Sequence, residues 1–230
     1  MDDLINLLQP PLIQMDAGVS KALELFPAVW RTAEELLSPV PRVRMQALKK
    51  LDEMEAPRLL PLVAYLVANR LEDSSLEIRR EAVRITSSIL SKDNSGLPAA
   101  EGVRQAVIFY ISQMRTRPLY GLLQVAQAVP DSANEVARLL NACPYAGRQL
   151  ADILSDRKIP LPIRQAAAHF IGVVGYLEAA PILERLEARL TARLNGQQSM
   201  PFASTEIGTA GNETELLPGI RLALLMLKEA

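Results

Sequence analysis

Five times along the chain a β-branched residue is followed by arginine, with alanine three or four places after the branched residue. The copies are Val43-Arg44 with Ala47, Ile78-Arg79 with Ala82, Val103-Arg104 with Ala106, Ile163-Arg164 with Ala166 and Ala167, and Ile220-Arg221 with Ala223. That interval puts the branched residue and the alanine on one face of a helix, with the arginine beside it. A short amphipathic unit that recurs cannot hide its apolar face alone, so successive units must stack on one another. Such an array is more often a surface that holds a partner than a reaction vessel.

The rest of the pattern is helical too. Apolar residues step by three and four, as in Ile78, Ala82, Ile85 and Ile89 or Ile163, Ala167, Phe170 and Val174, and strand-type alternation is almost missing. Prolines fall between these segments or in their first turn, where the lost N–H costs nothing. The periodicity predicts helices over 2–8, 19–37, 41–54, 56–71, 75–91, 99–115, 117–129, 131–142, 145–156, 160–174, 178–194 and 215–229, with Pro27 splitting or kinking the second. Residues 195–214 are rich in Gly, Ser, Thr, Asn and Gln and read as one long flexible loop, either surface decoration or a functional arm. The organisation expected is N-terminal capping helices over 1–37, repeats over 38–194, the loop over 195–214, and a C-terminal helix over 215–230 completing the last repeat.

Two stretches carry a family likeness. Leu59 to Leu66 followed by Glu72-Asp73-Ser74-Ser75-Leu76-Glu77-Ile78-Arg79-Arg80-Glu81-Ala82 resembles a HEAT repeat: a leucine-rich helix, an Asp-containing turn, and a helix opening on hydrophobe-Arg-x-x-Ala. Leu150 to Asp156 followed by Ile163 to Gly172 resembles a second. The likeness covers roughly 35–230 and implies an all-α fold, a right-handed α-solenoid of antiparallel helix pairs. It also implies that the helix arginine pairs with the turn acid, Asp73 with Arg79 and Glu215 with Arg221, while Arg104 has no such acid nearby upstream. The motif intervals are irregular, and three helices fall between 92 and 144 where pairs are expected, which leaves the register there open. The competing architecture is an ordinary helical bundle whose helices open on Ile-Arg.

Composition argues mainly by exclusion. The net charge is −1 and the pI about 6.0, so nothing calls for a nucleic acid or an anionic membrane. The longest apolar run, Leu59 to Ala68, contains Pro61 and is too short to span a bilayer. The Met1-Asp2-Asp3 start lacks the basic region of a secretory leader, and the single cysteine, Cys143, fits a reducing compartment; a cytoplasmic location is expected. His169 is the only histidine, so a histidine-rich metal site cannot form, and it reads as a solvated residue at a groove edge. Gly-rich phosphate loops and GxSxG are absent, and no cofactor is expected. The catalytic branches of the HEAT-like fold, alkylpurine DNA glycosylases and phycobilin lyases, share only size and helix content with this chain.

The reading is a non-catalytic protein–protein interaction scaffold or assembly subunit, the alternative being an enzyme of one of those two branches. By the resemblance, the arginine-bearing helices line the concave surface. Their outward ridge carries Gln46, Lys49, Arg80, Arg84, Gln105, Gln165 and His169, basic in its N-terminal half and suited to an acidic protein segment. Apolar helices at both ends, Leu4 to Ile13 and Ile220 to Leu227, are either covered within the chain or free for self-association.

Overall fold

The computed structural model describes residues 27–93, 95–194 and 213–229, and these are all-helical, with one isolated β-bridge between Lys92 and Pro98. The helices are α1 (27–35), α2 (Pro41–Glu53), α3 (Ala56–Leu59), α4 (Pro61–Asn69), α5 (Leu76–Leu90), α6 (Glu101–Ser112), α7 (Thr116–Ala128), α8 (Ala133–Asn141), α9 (Ala146–Ser155), α10 (Leu161–Val174), α11 (Ala180–Leu194) and α12 (Leu217–Glu229). Short 3-10 turns lead into or out of several of them. The expected helix 2–8 and the first part of 19–37 lie outside the described residues. None of the helices described is long and apolar enough to cross a membrane.

Proline placement accounts for many of the starts. Pro41, Pro57, Pro61, Pro162, Pro181 and Pro218 occupy the first or second position of their helices, where no intrahelical N–H bond is lost. Ser75 caps α5 by accepting from the Ile78 amide. Gly175 ends α10 at φ 83°, a left-handed conformation that lets its N–H and that of Tyr176 reach back to the Ile171 carbonyl.

Beyond sequence neighbours, α2 packs on α5, α5 on α7 and α8, those two on α10, α7 on α9, α10 on α12, and α4 on α6. Consecutive helices pack as well, α9 on α10, α11 on α12, and both α4 and α6 on α5. Helices α4 and α6 start at the same end. Gly102, at the start of α6, lies against Pro61 at the start of α4, while Tyr110 donates to Glu72 near their far ends. Gly172 of α10 meets Ala223 of α12 so closely that a Cβ there would sit 2.8 Å from the Ala223 Cα.

The core is divided accordingly. One cluster gathers Val29, Leu36, Leu48, Leu51, Val63 and Ile78 with their neighbours, and a larger one runs from α4 to α12. Helix α5 serves both, Ile78 and Ile85 in the first and Ala82, Val83 and Ile89 in the second. A helix buried on two sides in this way is apolar over much of its girth and keeps only a narrow solvated stripe.

Candidate interaction surface

Three of the five motif arginines, Arg44, Arg79 and Arg164, point inward and reach across to a later segment of chain, while Arg104 and Arg221 lie at the surface. Arg44 is 7% exposed; its Nε and Nη2 donate to the two carboxylate oxygens of Asp73, both at 2.8 Å, and its Nη1 donates to the Ser38 and Pro39 carbonyls. Arg79 repeats the arrangement one unit later. Its Nη1 donates to the carbonyls of Asp73 and Ser74, again six and five residues back, and its Nη2 to Gln124 Oε1 at 3.0 Å. Arg164, 3% exposed, donates to the Leu154 carbonyl and to Glu213 Oε1 at 2.9 Å. Arg44 and Arg79 thus fasten the turn before their own helix, Arg164 the end of α9, and each also holds an acceptor further along the chain. Bidentate, buried contacts of this kind fix geometry more than they add stability, but stranding one member is costly.

The expected pairing within one unit is corrected by these contacts. The Asp73 carboxylate takes Arg44 of the preceding unit, and Arg79 takes only its carbonyl. Arg221 pairs with Glu187 at 2.8 Å, not with Glu215, and Arg104 pairs with Glu101 at the surface. The acid is decided by which segment the packing of helices brings opposite the guanidinium, a turn for Arg44 and helix α11 for Arg221.

Glu213, read as part of the loop, is the second correction. It opens the 3-10 turn Glu213–Leu216, is 6% exposed, and has four guanidiniums within 4.0 Å, those of Arg157, Arg164, Arg189 and Arg193. Burial pushes its carboxyl up, but the Arg164 hydrogen bond and the surrounding positive charges outweigh this and hold it below the ordinary value. Asp73 behaves alike: burial raises it, while Arg44, the Ser75 amide and Arg70 together bring it lower.

All seven ridge residues are exposed. Gln46 and Lys49 lie on α2, Arg80 and Arg84 on α5, Gln105 on α6, and Gln165 and His169 on α10. Packing of α2 on α5 brings the first four onto adjoining helices. Arg84 is not a free cation: it pairs with Asp52 of α2 and with Glu81 at 2.7 Å. Lys49 and Arg80 have no ion-pair partner among the described residues. Gln105 lies on α6, which packs mainly on α4 and less on α5, and its side chain donates to Glu101. On α10, Gln165, His169 and Val173 form a single outward stripe, with the His169 ring edge-on to Phe170. At the C-terminal end Ile220, Leu224 and Leu227 are buried, whereas Leu222 and Leu225 remain exposed.

Little here is arranged for chemistry. The Cys143 thiol is 1% exposed and burial pushes its pKa up, which leaves it a poor nucleophile. Among the described residues no group of three or more His, Cys, Asp or Glu side chains is placed to hold a metal ion. A polar cleft of about 310 Å³ lies over the Arg44–Asp73 pair, lined also by Ser38, Asn69 and Arg70. No protein-family model matches the chain, and no curated protein or solved structure resembles it significantly.

Proposed function

We propose that the chain is a HEAT-like α-solenoid that works as a non-catalytic scaffold, holding an acidic protein segment on the outward face of α2 and α5, in a reducing, cytoplasmic setting. The observation that carries this reading is the forward reach of Arg44, Arg79 and Arg164, each bonded both to a carbonyl just before its own helix or at the end of the preceding one and to a side chain well ahead in the chain. Residues used in that way lock layers in register, which is what a stacked array needs and a bundle with one shared core does not. The two-sided burial of α5 supports the same reading.

Lys49 and Arg80, without an ion-pair partner among the described residues, give the face its preference for negative charge. Affinity capture from the source cell, run in parallel with the wild type and K49E/R80E, tests the function: proteins held by the wild type should be missing with the double variant. An unchanged set removes this face from the reading. X-ray scattering tests the architecture separately, since a compact chain of this length has a radius of gyration of about 17 Å and a solenoid exceeds it.

A further inference from the structure

Four guanidiniums converge on the single carboxylate of Glu213, leaving a formal charge of +3 in a region a few ångströms across. A buried glutamate needs one good cationic partner, and Arg164, whose side chain is 4% exposed, is that partner. The other three exceed what the carboxylate requires. Arg157, Arg189 and Arg193 have side chains 60%, 44% and 48% exposed, and Glu213 is the only carboxylate within ion-pair distance of any of them among the described residues. Arg189 and Arg193 are also four residues apart on α11, a like-charge spacing that works against the helix unless something neutralises it. The three come from two elements, the turn before α10 and two successive turns of α11, and they surround the solvent side of one buried anchor.

We propose that this cluster is a binding site for a phosphate group, carried by inorganic phosphate or by a small phosphate monoester, held on the outer side of Glu213 by Arg157, Arg189 and Arg193. A guanidinium offers several N–H donors in a planar fork that matches a phosphate's oxygens, and three of them compensate a dianion fully. Arg164 and Glu213 act beneath as positioning residues: the carboxylate accepts hydrogen bonds from Arg164 and Arg193 and draws Arg157 and Arg189 into ion-pair range, which leaves most N–H donors of the three half-exposed arginines free for a ligand. This site is independent of the scaffold reading.

Titration calorimetry on the full chain tests it, with inorganic phosphate and methyl phosphate as separate probes against chloride at matched ionic strength. The wild type should bind one equivalent saturably, and R189Q and R193Q should each weaken binding about tenfold or more, the range for losing a charge-assisted hydrogen bond. Tighter binding of methyl phosphate assigns the ester, equal or weaker binding the free ion. Circular dichroism melting of the ligand-free variants should match the wild type, which separates lost binding from lost fold. Absence of saturable heat in the wild type, or an R157Q/R189Q/R193Q triple variant that binds as well as the wild type, overturns the proposal.

Discussion

The two buried carboxylates solve one problem with different stoichiometry. Asp73 is closed: Arg44 grips both of its oxygens, the Ser75 amide takes one again, and its side chain is 2% exposed. Glu213 is open, with one buried guanidinium beneath it and three half-exposed ones above. In both, the acid ties a motif arginine to the next segment of chain. Asp73 has one further guanidinium in range, Arg70 at 3.8 Å with a side chain only 18% exposed, whereas Glu213 has three beyond its buried partner, so the first site reads as structure alone and the second as structure with a spare valence.

This difference sets how the two should fail. Asp73→Ala strands a buried guanidinium and should cost about 3–5 kcal/mol in denaturant unfolding; a loss below about 1 kcal/mol means Arg44 finds water or another acceptor. Glu213→Ala should cost less, about 2 kcal/mol, because three of its four arginines regain solvent and only Arg164 stays uncompensated. An equal or larger loss than at Asp73 breaks the distinction between closed and open.

Acid should erase both effects. Each carboxyl is lower in the folded chain than its ordinary value, so the unfolded chain binds protons more readily. The stability contributed is therefore complete above the unfolded values, near pH 4, and is lost as pH falls through the lower folded ones, about 1.4 kcal/mol for each unit of depression. Melting curves from pH 6 to pH 2 should show D73N and E213Q converging on the wild type as pH drops; a gap that stays constant contradicts the assignment.

Single substitutions of the surplus cations should be nearly silent in stability. R157Q, R189Q and R193Q should each change unfolding free energy by less than about 1 kcal/mol, as half-exposed ion pairs do. Smallest of all is K49E/R80E, within about 0.5 kcal/mol, since neither side chain has an ion-pair partner among the described residues to lose. R84E, by contrast, breaks pairs to Asp52 and Glu81 and is the wrong variant for probing the surface.

What the sequence made readable follows from the range of the forces involved. Helix positions were legible because proline and a three-to-four periodicity act within a turn or two, and the residues of α5 and α10 expected to face inward, such as Ile78, Ala82, Ile163 and Phe170, are buried. Partners of the arginines were not, because Arg44 and Asp73 are 29 residues apart and Arg164 and Glu213 are 49 apart. Glu213 also sits at the end of a polar stretch whose composition hides it. Nothing in the local pattern separates Gln105 from the other ridge residues: Val103-Arg104 with Ala106 has the same interval as Ile220-Arg221 with Ala223, yet α6 packs mainly on α4. The close approach at Gly172 had no local signal, since the residue it spares room for is Ala223 on another helix.

The forward reach of the arginines has a bearing on synthesis, which delivers the chain from its N-terminus. Arg44 can be satisfied once the next 29 residues have left the ribosome, but Arg164 must wait for 49. Until then the helices around Arg164 hold an unanswered positive charge in their interior, so the nascent protein matures from the front and the segment around α10 closes later than the one around α2.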